Sequence, residues 1–489
     1  VNNILLYLLP AVVVIAVLSE WLARRGYLSV FTLRKAIHII VSGVCIYAFA
    51  HELDYRVLSA IGAVASGVLF FVIRSGQMLS VESQERKSWG IVFFALAFTF
   101  NAFFIYPVSP EIAIFSAFLV GFSDPFAAII GRNFPFYPVR LTGDRKTLSG
   151  ALAFALTIPA IALFSDIISP TPIFYPLDAT SVLFMLYSAI VFSAVELTSS
   201  RGSDNLTLTM FSSAILWAYV FIFPDEIHWL TTFGLSVLVA WLAHRFRLLS
   251  LSGSVMTFIM AFFIFGTGEW KWTLPLFTFF VLSSLLSKLK TKRNPEAELV
   301  HEKTGIRDYK QVLANGGLPS LILLFGLING QTDSLYGVYL VAIAAATSDT
   351  WSTEFGGIFR GKTVNIIGFQ PIREGLSGGV SFWGTIGGLL GSMVIAFFAL
   401  PFSEFSIFHT IGIAFFGFTG TIIDSIFGAL YQVKYINPDG ELTEKRKFFD
   451  LDNQRYSGLV WMNNDVVNLM STTLSSVVYF IWLWTVLSP

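Results

Sequence analysis

Val57-Leu-Ser-Ala-Ile-Gly-Ala-Val-Ala-Ser-Gly-Val-Leu-Phe-Phe-Val-Ile73 carries no charged residue and ends at Arg74. A helix of this length is long enough to cross or nearly cross hydrocarbon roughly 30 Å thick. Similar stretches recur along the 489 residues, and the sequence predicts about sixteen spans. They lie at 2–22, 36–51, 57–73, 89–106, 112–130, 149–165, 179–195, 206–223, 229–243, 251–267, 273–287, 312–329, 335–348, 378–399, 407–430 and 466–487. Only 13% of residues are charged, against roughly a quarter in soluble chains, while 50 Phe and 12 Trp swell the apolar fraction to 55%. There is too little polar surface to cover a water-soluble particle, so the expected class is an all-α, polytopic integral membrane protein. Lone Cys45 excludes an intramolecular disulfide framework and a cysteine metal cluster. Zero formal charge argues against bulk nucleic-acid binding, and no nucleic-acid partner is expected.

The loops test the count. Those at 23–35, 74–88, 131–148, 196–205, 244–250, 288–311, 349–377 and 431–465 hold 29 of the 31 Lys and Arg; the alternate connections hold only Arg56 and Lys271. The positive-inside rule makes the first set cytoplasmic and puts both termini on the opposite side. The first span lacks a basic leader and is followed by Arg24-Arg25, so it reads as a retained helix. Without a transit peptide, a prokaryotic plasma membrane is the expected location.

The sixteen spans divide near Pro224 into eight and eight with the same features in register. Gly121-Phe-Ser123-Asp124-Pro-Phe-Ala-Ala-Ile-Ile-Gly131-Arg132 ends the fifth span of the first half, and Ala346-Thr-Ser348-Asp349-Thr-Trp-Ser-Thr-Glu354-Phe-Gly356 ends the fifth of the second. Leu148-Ser149-Gly150 and Leu376-Ser377-Gly378 are read as opening the sixth spans, Glu196 and Asp424 as closing the seventh, and Asp204-Asn205 and Asn464-Asp465 as beginning the eighth. An even number of spans per repeat makes the repeats parallel, predicting two eight-helix units, each with its own site.

Ionisable residues at membrane depth are expensive and mark ion or substrate paths, so Asp124, Glu196, Asp349, Glu354 and Asp424 at helix ends stand out. Carboxylates beside Lys and Arg in glycine-containing loops suit a magnesium-nucleotide site. Hard Mg²⁺ takes carboxylate oxygens, and phosphates take cations and backbone N–H groups. Arg140-Leu-Thr-Gly-Asp144-Arg-Lys146-Thr147 is the candidate phosphate loop of the first half. In the second, Gly356-Gly-Ile-Phe-Arg-Gly-Lys362-Thr363 matches the P-loop spelling, but that motif has meaning only between a strand and a helix of a soluble α/β domain. Lys362 keeps the chemistry to touch phosphate. Arg34-Lys35-x-x-His38 faces the same compartment as the acids, as nucleotide or acceptor contacts or as a basic belt at the headgroups. His51, His228, His244, His301 and His409 have no metal-ligand spacing, and no Gly-x-Ser-x-Gly elbow occurs.

With Arg34-Lys35-x-x-His38, Arg86-Lys87-Ser88-x-Gly90, Ser123-Asp124, Gly143-Asp144-Arg145-Lys146-Thr147-Leu-Ser-Gly150, Val195-Glu196 and Asp204-Asn205-Leu, the first half resembles the dolichol kinase and phytol kinase family. The second half resembles the family that contains plant phytyl-phosphate kinase. Its motifs are Tyr309-x-Gln311-Val-Leu-Ala-Asn315-Gly-Gly317, Ser348-Asp349-Thr-Trp351-x-x-Glu354, Gly375-x-Ser377-Gly-Gly-Val-Ser381-x-x-Gly384-Thr385 and Trp461-Met-Asn-Asn464-Asp465-x-x-Asn468. These resemblances imply a prenol kinase-like domain over 1–226 and a prenyl-phosphate kinase-like domain over 227–489. A prenol such as phytol or geranylgeraniol would become the monophosphate and then the diphosphate, with CTP or another nucleotide as donor, Mg²⁺ as cofactor and the prenyl tail left in the bilayer.

For the first site the expected residues are Asp124, Glu196, Asp204 and Asn205 for metal and acceptor, with Arg132, Asp144, Lys146, Ser149 and Gly150 on the nucleotide side. For the second they are Asp349, Glu354, Asp424, Asp465 and Asn468, with Lys362, Arg373, Ser377 and Gly378. Asp124, Glu196, Asp349 and Asp424 are the expected metal ligands. An alcohol acceptor benefits from a carboxylate near its proton, whereas a phosphate acceptor needs charge neutralisation and positioning. Two other classes compete. A CDP-lipid-forming cytidylyltransferase would carry a basic His-Gly-Gly signature, which is missing; a secondary transporter would place its acids near the midplane.

Overall fold

Each predicted span beyond the first coincides with helix along most of its length, the span at 378–399 beginning four residues before its helix. The structure, a computed structural model, describes residues 14–15, 18–75, 89–293, 306–402, 405–438, 440–448 and 451–487. Most of the 2–22 span, the Arg86-Lys87-Ser88 cluster and His301 lie outside them. The first unit holds α1 (18–25), α2 (Val30–Ala50), α3 (Tyr55–Ser75), α4 (Gly90–Phe100), α5 (Pro110–Phe118), α6 (Asp124–Asn133), α7 (Leu148–Ile168), α8 (Ala179–Thr198) and α9 (Asp204–Phe221). π-helical turns at Asn101–Ile105 and Leu119–Ser123 extend α4 and join α5 to α6. Next come α10 (Glu226–Arg245), α11 (Leu251–Arg293), α12 (Tyr309–Asn329), α13 (Thr332–Phe359), α14 (Phe382–Ala396), α15 (Ile407–Leu430) and α16 (Asn464–Leu487). The predicted spans 251–267 and 273–287 are the two limbs of α11, broken at Glu269, whose φ is 54°. Among the described residues eleven helices are long and apolar enough to cross a membrane, and Gly90–Ile105 is a shorter apolar one.

The helix starts follow capping chemistry. Ser29, Ser109, Thr147, Asp178, Asp308, Ser381 and Ser406 each accept the backbone N–H three residues on, satisfying a donor the helix itself leaves open.

The chain divides into two compact units, Val1–Ser236 and Val237–Pro489, with the boundary inside α10. In the first unit α5 packs against α2, α7 and α9, with Ile112, Ile114, Phe115 and Ser116 at most 1% exposed. In the second, α13 is the central helix, packed by α11, α12, α14, α15 and α16. Every residue from Leu335 to Ser348 is buried, and a helix buried on all sides needs no polar face. α14 approaches it along small residues: a Cβ on Gly387 would lie 2.6 Å from Phe355 Cβ and 2.7 Å from Trp351 O. We expect Gly387→Val to cost about 1–3 kcal/mol by overpacking, read as a lower unfolding temperature in detergent; an unchanged temperature would mean that α14 shifts freely.

Short antiparallel ribbons punctuate the expected all-α fold. β1 (Pro138–Val139) pairs with β2 (Lys146–Thr147), and β3 (Val364–Asn365) with β4 (Gly379–Val380). β5 (Lys434–Ile436) lies between β6 (Leu442–Thr443) and β9 (Gln454–Ser457), and β7 (Lys447–Phe448) pairs with β8 (Leu451–Asp452).

The ribbons correct the register expected between the two halves. Leu148-Ser149-Gly150 does open α7, but Leu376-Ser377-Gly378 precedes β4, and α14 starts only after Ser381. The counterpart of Thr147-x-x-Gly150 is therefore Ser381-x-x-Gly384. A Cβ on Gly131 would meet Thr147 Oγ1 and Gly150 Cα, and one on Gly356 would meet Ser381 Oγ and Gly384 Cα. Gly131 and Gly356 each stand seven residues after Asp124 and Asp349. Gly378 turns the chain away from helix: its φ is +86°, and a Cβ there would lie 2.6 Å from Ala429 Cβ.

Candidate active sites

In the first unit three elements bring acids together. Asp124 begins α6 directly after the π-turn, Glu196 lies in the last turn of α8, and Asp204 opens α9. One oxygen of each lies within 4.8 Å of the others. Antiparallel β2 delivers Lys146 to them while its neighbour Thr147 caps α7. Lys146 Nζ is 2.6 Å from Glu196 Oε1 and 3.5 Å from Asp204 Oδ2, and it also donates to the Glu196 carbonyl. Lys35 Nζ from α2 lies 2.6 Å from Asp124 Oδ2, and buried His38 places Nδ1 3.7 Å from that oxygen while stacking on Phe94. Burial opposes the Lys146 charge, but the carboxylates of Glu196, Asp204 and Asp124 outweigh it and hold the ammonium above the ordinary lysine range.

The other expected residues of this site brace it or lie apart. Asp144 accepts from Arg201 N at 2.7 Å, tying the basic loop to the α8–α9 turn. Ser149 Oγ accepts from Phe136 N and donates to Thr147 Oγ1, and Gly150 is the close-packing point of α7 on α6. Asn205 donates to Gly90 O at 2.7 Å, anchoring α9 to α4. Arg132 does not join the acids: it is exposed, with its guanidinium 4.5 Å from the Phe31 ring centre. Lys35 and His38 were visible as a motif, but their contact with Asp124 joins residues 89 apart in sequence and no periodicity announces it.

The second unit contains a polar cavity of about 260 Å³. Asp349 from α13 and Asp424 from α15 line it and lie close enough to repel each other. Thr421 lines the cavity beside them, and Ser471 Oγ lies 3.2 Å from Asp424 Oδ2. With its amide nitrogen turned inward, Asn468 donates to the same Asp424 oxygen at 2.9 Å. Among the described residues no Lys, Arg or His forms an ion pair with Asp349 or Asp424. Two facing carboxylates supplied with hydroxyl and amide donors but no counter-cation fit a hard divalent ion. The first unit fits one less fully, because Lys35 and Lys146 already hold oxygens of Asp124 and Glu196.

Glu354 also lines the cavity, but it is engaged: Ser287 Oγ donates to it at 2.9 Å and Lys290 Nζ lies 3.2 Å away. Asp465 enters from the first turn of α16. Ser377 and Gly378 line the cavity too, in the loop before β4. The two expected phosphate cations do not. Lys362 is exposed beyond the left-handed C-cap Arg360, so the P-loop spelling covers a helix C-terminus, where carbonyls and not N–H groups project. Arg373 pairs at 2.5 Å with Glu441 on the surface. The cavity's cations are Lys290 and Arg307, which sequence reasoning missed. Burial draws Arg307 below the ordinary arginine range against the pull of Glu354. Glu444 was missed as well; it sits on the far side of the β5–β6 turn, and it accepts from Ser377 N at 2.7 Å and from Ser377 Oγ.

The family described as integral membrane protein DUF92 matches residues 234–476. An uncharacterized membrane protein of Methanocaldococcus jannaschii is 30% identical over 49% of this chain and 88% of its own length. A phytol kinase of Synechocystis is 26% identical over 41% of this chain and 84% of its own length. Protein VTE6, chloroplastic, of Arabidopsis thaliana is 23% identical over 45% and 62%. No solved structure matches the chain. The profile match across the second unit, together with the identity carried along nearly the whole archaeal protein, makes this chain a member of the integral membrane protein family DUF92.

Proposed function

We propose that this protein is a membrane prenol kinase with two phosphotransfer sites: the first unit phosphorylates a prenol such as phytol or geranylgeraniol, and the second phosphorylates the resulting monophosphate. The observation that carries it is the second-unit cavity, lined by Asp349 and Asp424, which form no ion pair among the described residues, and by Lys290 and Arg307. That set suits a divalent ion together with phosphate groups. The relative named phytol kinase supports a kinase of a lipid alcohol. The motifs of the second half, which resemble those of phytyl-phosphate kinase, support the second step. CTP as donor rests on the resemblance of the first half. The basic loops that hold both sites support the cytoplasmic face of a prokaryotic plasma membrane.

The two acceptors ask different things of the protein. A prenol hydroxyl must lose its proton as its oxygen takes the phosphoryl group, and the Asp124, Glu196 and Asp204 cluster offers carboxylates near that oxygen, with Lys146 and Lys35 balancing charge. A monophosphate is already anionic, so Lys290 and Arg307 serve by orienting it and offsetting repulsion between donor and acceptor. Asp349 and Asp424 would hold Mg²⁺, which would supply charge neutralisation for the nucleotide.

The test uses purified protein in detergent with Mg²⁺, CTP or ATP, and phytol, geranylgeraniol or geranylgeranyl monophosphate, resolving lipid products by mass spectrometry. Mono- and diphosphate are expected, with one nucleoside diphosphate released per phosphoryl group transferred: one for each monophosphate, and two for each diphosphate made from a prenol. Absence of any phosphorylated lipid with every donor would sink the reading.

A further inference from the structure

We infer that the Ser377 backbone N–H and hydroxyl form a phosphate subsite, and that the Glu444 carboxylate holds it until a phosphate monoester or polyphosphate displaces it. Glu444 is only 4% exposed and spends one oxygen, Oε1, on both Ser377 donors. An N–H and an O–H converging on one anionic oxygen is the arrangement that receives a phosphate oxygen. Two left-handed glycines, Gly375 at φ +89° and Gly378 at φ +86°, frame Ser377 in the loop lining the cavity.

The loop does not need Glu444 to keep its shape. Lys434 Nζ donates to Ser377 O at 3.1 Å, Ile366 N to Gly378 O at 2.9 Å, and Gly379 N to Leu376 O at 3.1 Å, while Ala429 presses on Gly378. Glu444 repels Asp424 and is balanced by Lys434, a cation beside Ser377 that would serve a phosphate oxygen in the same place. A carboxylate seated on paired donors that also suit a phosphate oxygen is poised to yield them to an anion that Lys290 and Arg307, lining the same cavity, also attract. The inference depends on the kinase reading only for the identity of the phosphate carrier.

The test is calorimetric titration of full-length protein in detergent with Mg²⁺ and each of pyrophosphate, CTP and geranylgeranyl monophosphate. Wild type is compared with Glu444→Ala, Glu444→Gln and Ser377→Ala, and wild-type turnover is measured on the same preparation. Removing the resident anion is expected to tighten binding of at least one ligand about tenfold in Glu444→Ala, the worth of one charge-assisted hydrogen bond. Glu444→Gln, which keeps an acceptor and the side-chain shape, is expected to tighten it severalfold and decides the matter if Glu444→Ala fails to fold. Ser377→Ala is expected to weaken the same ligand. Tightening confined to the lipid monophosphate makes this the acceptor subsite, and tightening confined to CTP makes it the donor subsite. If wild type turns over while both Glu444 variants bind as wild type or more weakly, the subsite falls and the kinase reading stands. Wild type that neither turns over nor binds phosphate overturns both.

Discussion

Asp349→Asn is expected to stop the protein at the monophosphate. Loss of the carboxylate should lower kcat for diphosphate formation by about 10²–10³-fold, the usual scale for removing one group that stabilises transition-state charge. Stability should move the other way. Asp349 faces Asp424 with no ion-pair partner among the described residues, so neutralising one of two like charges relieves repulsion while Asn keeps the size of the side chain. The two readouts separate function from folding: mass spectrometry follows mono- and diphosphate, and the unfolding temperature is followed with and without Mg²⁺. Mg²⁺ should raise the wild-type temperature, as any ligand of the native state does, and lose much of that effect in the variant. Diphosphate formation within twofold of wild type would remove Asp349 from the chemistry.

Lys146→Met is expected to damage the first unit on both counts. Its ammonium bridges Glu196 and Asp204 at 2.6 and 3.5 Å, and Lys35 reaches only Asp124. Deleting one partner of a buried pair leaves uncompensated charge, at a cost of about 3–5 kcal/mol. The pH dependence has a definite sign. A lysine held above its ordinary range contributes stability that is fully present below the unfolded lysine pKa, near ~10.4, and is lost as pH rises through the folded value. Between pH 6 and 9 the wild-type contribution is therefore constant, and the deficit of the variant should be constant there too. Below that range, protonation of the stranded carboxylates should shrink it. Unfolding temperatures from pH 4 to 9 check this, and prenol phosphorylation should fall alongside. A variant as stable as wild type at pH 7 would mean that the carboxylates find another cation.

Much of this was legible in the amino-acid sequence because lipid imposes a strong, local signal. A charge-free run such as Val57–Ile73 has few ways to satisfy its backbone in hydrocarbon other than helix, and the predicted spans after the first fall in helices accordingly. The acids were legible for a related reason: Asp124, Glu196, Asp349 and Asp424 are conspicuous against apolar neighbours, and the structure gathers them into one cluster and one cavity. The basic partners were not. In loops rich in Lys and Arg, residue type does not distinguish Lys362, which ends exposed, from Lys290, which lines the cavity. Whether a loop cation reaches the site depends on which way a two-residue ribbon or a helix end turns. The same limit misplaced Leu376-Ser377-Gly378, since spelling alone cannot tell a helix start from a left-handed turn three residues before one.

Composition and periodicity thus determined the class of this protein, its membrane helices and its candidate carboxylates, because desolvation penalises backbone and charge residue by residue. Tertiary structure alone decided which donor faces which acid: Lys35 across 89 residues to Asp124, Lys146 across 50 to Glu196, and Ser377 across 67 to Glu444. Pairings between side chains so far apart in the chain are set by how helices and ribbons pack, and that packing leaves no periodic trace in the order of the residues.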